Sequence, residues 1–130
     1  MILTLVIAAI MAVESHGNPA AIGDGGRAHG PLQIHREVIE DVNRFDGTSY
    51  TIADAHDPAK AEDIFRRYVR RYATRARLGH EPTEEDVARI WNGGPNGWRK
   101  PDTLGYWGKV RRHLKNRLYF SPPLCQIEFR

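Results

Sequence analysis

Cysteine is nearly absent from this sequence: Cys125 is the only one among 130 residues. No disulfide can form within the chain, so either packing alone holds the fold or the protein lives in a reducing compartment. A single thiolate cannot build a cysteine-ligated zinc centre. The six histidines are scattered, without the H-E-x-x-H spacing of a helical zinc site. We therefore expect no metal site and no cofactor.

Long hydrophobic runs are absent as well. The uncharged stretch at residues 1–13 is shorter than the roughly twenty apolar residues that span a bilayer. Such a stretch is typical of a signal-peptide core or of a buried helix. It has no preceding Lys or Arg and no A-x-A pattern, and it leads directly into Glu14, so we favour a buried helix. We predict no convincing signal peptide and no stable membrane insertion, and expect the native chain to begin further upstream.

Neither sign of charge dominates. Nineteen Lys and Arg against sixteen Asp and Glu give a net charge of +3 and a pI of about 9.2, with 41% hydrophobic residues. These values are ordinary for one globular domain covering residues 1–130. The mild positive charge suits a polyanionic partner such as nucleic acid, an anionic membrane or an acid-bearing glycan, and it equally suits a protein that binds no anion.

Helical periodicity runs through most of the chain. It predicts five helices, at about 2–15, 32–44, 59–78, 83–92 and 103–118. Segments dense in Gly, Asn and Pro predict loops at 16–31 and 92–97, and the tail from about 119 is predicted to be irregular. A polar connection at 45–58 contains strand-like Tyr50-Thr51-Ile52. The predicted fold is mainly α, of the α+β kind, with a minimal hairpin.

Two predicted helices have distinct faces. The third carries an apolar stripe on one side and, on the other, six arginines: Arg66, Arg67, Arg70, Arg71, Arg75 and Arg77. Such a face is typical of solvated helices or of nucleic-acid binding. No helix-turn-helix, RNP or zinc-finger pattern accompanies it, so we expect no nucleic-acid partner. The last helix is predicted to turn five side chains inward: Leu104, Trp107, Val110, Leu114 and Leu118.

Two carboxylates are candidates for acid–base chemistry. Glu14 ends the uncharged helix just before the first Gly-rich loop, and burial against apolar groups raises the pKa of an acid in such a place. Asp24 follows ten positions later, where it can orient water or stabilise an oxocarbenium-like transition state. The plain alternatives are that Glu14 is a solvent-facing helix end and that Asp24 only forms a turn.

Aromatic and amide side chains gather around the second glycine-rich loop, as a sugar-binding site requires. They are Trp91, Asn92, Asn96, Trp98, Tyr106 and Trp107, of which the last is predicted to be core. Four motifs occur in order along the chain: Glu14-Ser15, Gly30-Pro31-Leu32-Gln33-Ile34, Ile90-Trp91-Asn92-Gly93-Gly94-Pro95 and Tyr106-Trp107-Gly108-Lys109-Val110. This succession resembles the lysozyme-like superfamily, both its soluble-type lytic transglycosylases and its invertebrate-type lysozymes.

The resemblance covers about residues 5–115 and implies roles for the matching residues. It implies Glu14 as the catalytic acid, and Asp24 falls near the position of the second carboxylate of invertebrate-type enzymes. The implied substrate-binding residues are Ser15, which steadies the acid, Gln33 and Ile34 at the cleft border, Asn92 and Gly93 in its floor, and Tyr106 within reach of the acid. The cleft is then expected between the Gly-rich segment 16–31 and the 90–98 loop.

The implied function is cleavage of peptidoglycan at the β-1,4 bond between N-acetylmuramic acid and N-acetylglucosamine. Asp24 favours hydrolysis, as by a muramidase; a lytic transglycosylase, which leaves 1,6-anhydro ends, is a close alternative. A non-catalytic glycan-binding member of the fold is another. We expect a monomer that acts on the cell wall, in the periplasm or outside the cell if it is exported. Invertebrate-type enzymes are rich in cysteine, so their disulfides do not carry over to this chain.

Overall fold

The computed structural model describes the backbone of residues 1–120 and the side chains of residues 1–116. It contains six α-helices in this range: α1 Leu3–Ser15, α2 Arg36–Asp46, α3 Pro58–Tyr72, α4 Arg75–Leu78, α5 Glu84–Gly93 and α6 Leu104–Phe120. Two short antiparallel strands, β1 Ile22–Gly23 and β2 Ala28–His29, form the sheet. Single turns of 3₁₀-helix occupy Asp24–Gly26, Ile52–His56, Gly97–Arg99 and Pro101–Thr103. The predicted mainly α fold with a minimal hairpin is confirmed.

Helix α1 lies inside the domain and packs against α5 and α6. Four of its residues are essentially inaccessible to solvent: Val6, Ile7, Ala9 and Ile10. The helix ends where His16 adopts a left-handed backbone conformation, with φ of +56°. The amides of His16 and Gly17 then bond back to the carbonyls of Ala12 and Met11, which satisfies the last turn. The predicted buried helix is confirmed, and its last turn places Glu14 at the edge of the core.

The hairpin lies in the first glycine-rich segment and not near Tyr50. Ile22 pairs with His29 and Gly23 with Ala28, so the strands occupy part of the segment that was predicted to be loop. The strand-like 50–52 stretch is instead held by a side chain of α2: the Asn43 amide donates to the Tyr50 carbonyl and accepts from the Tyr50 backbone amide. Thr51 and Asp54 then form a capping box that starts a 3₁₀ turn.

Two predicted helix boundaries are wrong for local reasons. Helix α2 begins at Arg36, four residues later than predicted, because Gln33 has φ of +51° and cannot continue a right-handed helix. The third predicted helix divides in two, because the Thr74 side chain caps a new turn by accepting from the amide of Arg77. Helix α5 begins with a capping box formed by Thr83 and Asp86.

Helix α6 differs from its prediction at both ends. Leu104 is 51% exposed and does not face inward, whereas Val110 and Leu114 are buried as predicted. The first two residues of the predicted tail, 119 and 120, belong to the helix. The rest of that tail and the side chain of Leu118 lie outside the described residues. No helix within residues 1–120 is long and apolar enough to cross a membrane.

Candidate active site

A cleft of about 510 Å³ opens between the hairpin region and the end of α5. Its lining residues are Glu14, Asp24, Ala28, Gln33, His35, Glu37, Val38, Tyr68, Trp91, Asn92 and Gly94. One wall comes from the predicted segment 16–31 and the residues just after it. The other comes from the predicted 90–98 loop. The cleft therefore lies where it was expected, and its three acidic residues include both predicted ones, Glu14 and Asp24.

Glu14 is a half-buried acid at the end of α1. Its Oε2 accepts a hydrogen bond from the Tyr106 hydroxyl at 2.9 Å. Burial raises the pKa of Glu14 from 4.5 to about 7, and the tyrosine hydrogen bond, which favours the carboxylate, opposes that rise in part. A large fraction of the side chain thus keeps its proton near neutral pH. That is the property a general acid needs.

Tyr106 reaches Glu14 from α6, although 92 positions separate the two residues along the chain. The packing of α6 against α1 brings them together. Burial, the nearby carboxylate and the hydrogen bond all raise the pKa of the Tyr106 phenol above its usual range. The phenol therefore stays protonated and remains a donor to the acid. The predicted proximity of Tyr106 to Glu14 is observed.

Asp24 is both a turn residue and a cleft residue. It begins the 3₁₀ turn between the strands with φ of +49°, a conformation that Asp tolerates better than most residues. Its Oδ1 pairs with Arg27 at 3.0 Å, and its Oδ2 lies 3.5 Å from Nε2 of His35. With 48% of its side chain exposed, Asp24 is a solvated carboxylate in the same cleft as the buried acid. Two carboxyl groups in contrasting surroundings are the usual basis for dividing acid and base roles.

Ser15 and Gln33 hold the backbone around the cleft. The Ser15 hydroxyl donates to the Pro31 carbonyl at 2.7 Å, so it ties the end of α1 to the next segment and does not bond to the Glu14 carboxylate. The Gln33 amide donates to the carbonyls of Gly30 at 3.0 Å and Ala21 at 3.3 Å. Gln33 lines the cleft as predicted.

The other predicted contact residues divide between cleft and core. Ile34 is completely buried in the hydrophobic core and does not border the cleft, so that prediction is wrong. Asn92 is exposed and lines the cleft, as predicted. Gly93 lies against the segment leading to α6, where a Cβ would come within 2.6 Å of the Thr103 side chain. The cleft lining is supplied instead by its neighbour Gly94.

Trp91 forms a rigid part of the cleft. Its indole nitrogen donates to the Leu32 carbonyl at 3.2 Å, and its ring lies 4.6 Å from Phe65 and 5.7 Å from Tyr68, centroid to centroid. Tyr68 also lines the cleft, and burial raises its pKa to about 12. The fixed aromatic surface can receive the face of a sugar ring.

Some of the predicted aromatic and amide side chains lie outside the cleft, and some cleft residues were not predicted. Trp98 packs beside His80 and Arg99, away from the cleft lining, and Asn96 accepts a hydrogen bond from Arg77. Trp107 is half-buried against the core, as predicted. Besides Ala28 and Tyr68, sequence reasoning missed the cleft residues His35, Glu37 and Val38. The signal that could have found them is their position immediately after the Gly-Pro-Leu-Gln-Ile motif.

A mainly helical domain in which a buried carboxylic acid projects from the first helix into a cleft beside a small hairpin is a lysozyme-like domain. A lysozyme of Magallana gigas is 41% identical over 83 residues, or 64% of this chain, and one of Ostrea edulis is 35% identical over 82 residues, or 63%. An inhibitor-bound lysozyme from Meretrix lusoria has a TM-score of 0.69 at 30% identity, covering 83% of this chain and 87% of that one. The chain belongs to the invertebrate-type lysozymes.

The matches to the two curated relatives are partial. They span 58% of the Magallana gigas protein and 57% of the Ostrea edulis protein, less than two thirds of either length. No protein-family model matches the chain. Family membership therefore rests on the sequence identity together with the structural likeness, which extends over most of both chains.

Proposed function

We propose that this protein is a glycosidase of the lysozyme type, which cleaves the peptidoglycan β-1,4 bond between N-acetylmuramic acid and N-acetylglucosamine with Glu14 as general acid. One observation carries the proposal: Glu14 is buried at the edge of an open cleft with its pKa raised to about 7. Such an acid holds a proton at neutral pH and can deliver it to a glycosidic oxygen. Family membership and the lysozyme relatives support the same reaction.

In this mechanism the Glu14 proton passes to the bridging oxygen while the bond from that oxygen to the anomeric carbon breaks. The sugar left behind has oxocarbenium character, which the carboxylate of Asp24 in the same cleft can stabilise or supply with water. Water adds to the anomeric carbon and gives its proton to Asp24 where that carboxylate activates the water, or to the Glu14 carboxylate where Asp24 only stabilises the cation, so that the product has a reducing end. In this proposal the amide of Gln33, the exposed Asn92 and the ring of Trp91 bind the sugar, since all three line the cleft.

The presence of Asp24 in the cleft favours hydrolysis over the transglycosylase reaction. In that second reaction, the 6-hydroxyl of the sugar attacks its own anomeric carbon and gives its proton to the Glu14 carboxylate, leaving a 1,6-anhydro end. The transglycosylase reaction needs one carboxylate, and Asp24 would then only form the turn between the two strands. We further propose that the protein acts as a monomer on the cell wall, in the periplasm or outside the cell if exported.

Purified peptidoglycan and mass spectrometry of the released muropeptides test this proposal. We expect reducing ends from the native protein, none above background from Glu14→Gln, and a strong loss with Asp24→Asn. Glu40→Gln is a matched control, since it removes an exposed carboxylate outside the cleft lining. Anhydro ends that depend on Glu14 would replace hydrolysis by the transglycosylase reaction. Binding to peptidoglycan with no Glu14-dependent products would indicate a non-catalytic member of the fold.

A further inference from the structure

The positive charge of this protein is distributed unequally between its helices. On α3, two of the four arginines pair with acids: Arg66 lies 2.9 Å from Glu62, and Arg67 lies 2.7 Å from Asp63 and 3.0 Å from Asp46. Acids therefore pair with three of the six arginines of the arginine-rich face, since Arg75 also lies 3.3 Å from Glu81.

Helix α6 is different, because its sequence contains no Asp or Glu at all. Its basic residues with described side chains are all exposed: Lys109, Arg111, Arg112 and Lys115. Among the side chains described through residue 116, none of these four forms an ion pair with a carboxylate. Within that part of the chain, no acid competes with an external anion for these four charges.

Part of this charge lies in a groove between α1 and α6. The groove has a volume of about 340 Å³, and its lining residues are Ala12, Val13, His16, Lys109, Arg112, His113 and Asn116. The α6 members recur at intervals of three and four residues, so they share one face of the helix over about 10 Å. Among the residues with described side chains, no acid lines this groove. A concave basic stripe with an apolar floor at positions 12 and 13 favours an anionic ligand.

The same two helices form the acid site. Tyr106, which bonds to Glu14, lies one helical turn before Lys109 on α6, and Val13 of the groove floor immediately precedes Glu14 on α1. A polymer held near the cleft therefore presents its own charged groups to the groove at high local concentration. Peptidoglycan carries such groups, because its lactyl-linked peptides have free carboxylates.

We propose that the α1–α6 groove binds free carboxylates of peptidoglycan and retains the protein on the wall, an inference that rests on the proposed function for its choice of polymer. Lys109 and Arg112 supply the principal charges, with His16, His113 and Asn116 as additional donors. This groove is separate from the cleft, since the two share none of their lining residues.

Binding to insoluble peptidoglycan tests the groove without requiring turnover. In the Glu14→Gln protein, we expect Lys109→Glu with Arg112→Glu to weaken binding by about tenfold, because two attractive contacts become repulsive. The matched control is Arg111→Glu with Lys115→Glu, which makes the same change of net charge on the same helix outside the groove. Circular dichroism checks that α6 still forms, and neutral Lys109→Gln with Arg112→Gln replaces the reversal if the reversed protein does not fold.

Chemical modification of the peptidoglycan tests which anion the groove binds. Amidation of the peptidoglycan carboxylates should weaken binding of the Glu14→Gln protein to the level of the groove variant and leave the groove variant unchanged. Equal weakening by groove and control variants would overturn the proposal, since net charge alone would explain it. Loss of binding only when phosphodiester polymers are stripped from the wall, or groove-dependent binding to DNA but not to peptidoglycan, would overturn it as well. Muropeptide release by proteins with native Glu14 reports separately on the proposed function.

Discussion

At the residue scale, the burial that suits Glu14 to acid chemistry also destabilises its ionised form. Folding raises its pKa from 4.5 to about 7, so between these values the folded protein holds a proton that the unfolded chain releases. Below this pH range the carboxyl is neutral in both states, and its burial does not lower the free energy of unfolding. As the pH rises through 7, the loss in the free energy of unfolding approaches about 3 kcal/mol, since each pKa unit corresponds to about 1.4 kcal/mol.

We therefore expect Glu14→Gln to be more stable than the native protein at about pH 8 and similar to it at about pH 4, because the amide never ionises. Urea denaturation at the two pH values measures the difference. Glu40→Gln, which replaces an exposed carboxylate, should show no such pH dependence. A gain from Glu14→Gln that is the same at both pH values would mean that ionisation of this carboxyl does not cause it.

The hydrogen bond from Tyr106 acts on the same acid in the opposite direction. It lowers the pKa of Glu14, so Tyr106→Phe should raise that pKa further while leaving the burial in place. The alkaline limb of peptidoglycan cleavage should move to higher pH, and nuclear magnetic resonance titration of the Glu14 carboxyl should show the same displacement. Tyr50→Phe is the control, because Tyr50 bonds to Asp63 and not to the acid. An unchanged titration in Tyr106→Phe would contradict this view of the contact.

At the element scale, the hairpin wall of the cleft depends on one close backbone approach. Gly30 has φ of +77°, and a Cβ there would lie 1.8 Å from the Ala55 carbonyl oxygen. Gly30→Ala therefore combines an unfavourable backbone conformation with a steric clash, and we expect a loss of about 3 kcal/mol or more. Gly25→Ala is a matched control, since Gly25 has φ of +64° with open space around it and should lose only about 1 kcal/mol. Urea denaturation measures both, and equal losses would show that the approach to Ala55 is unimportant.

The helices could be predicted because long periodic segments repeat their signal, whereas the hairpin could not. Each strand is only two residues long, and no alternation of side chains can be recognised over that length. The same region contains Ile34, which was wrongly predicted to border the cleft. The left-handed turn at Gln33 directs the Ile34 side chain into the core. Of the predicted site, Glu14, Gln33 and Asn92 line the cleft because ordered motifs located them, and Asp24 lines it as a carboxylate of the first glycine-rich segment. His35 was missed because its approach to Asp24 depends on how the chain turns between them.

At the scale of the whole molecule, a chain with one cysteine relies on packing and hydrogen bonding to join distant segments. Arg89 is the clearest such link among the described residues, since its side chain is buried within α5. It donates to the Thr103 hydroxyl and to the Lys100 carbonyl, both at 2.8 Å, and it pairs with Glu85 at 2.6 Å. It thereby fastens α5, which carries Asn92, to the segment that leads into α6.

We expect Arg89→Met to lower the free energy of unfolding by about 2–4 kcal/mol, because it removes a half-buried ion pair and two hydrogen bonds while largely preserving the volume of the side chain. Arg89→Lys should recover little, since an ammonium cannot make the three diverging contacts of a guanidinium. The effect should also reach the acid: a looser start of α6 weakens the hold of Tyr106 on Glu14, so the pKa of Glu14 should rise in Arg89→Met. Arg111→Met, on the exposed side of α6, controls for the loss of one charge. Denaturation together with titration of Glu14 checks both parts, and a destabilised variant whose Glu14 titrates normally would show that this link stabilises the fold without positioning the acid.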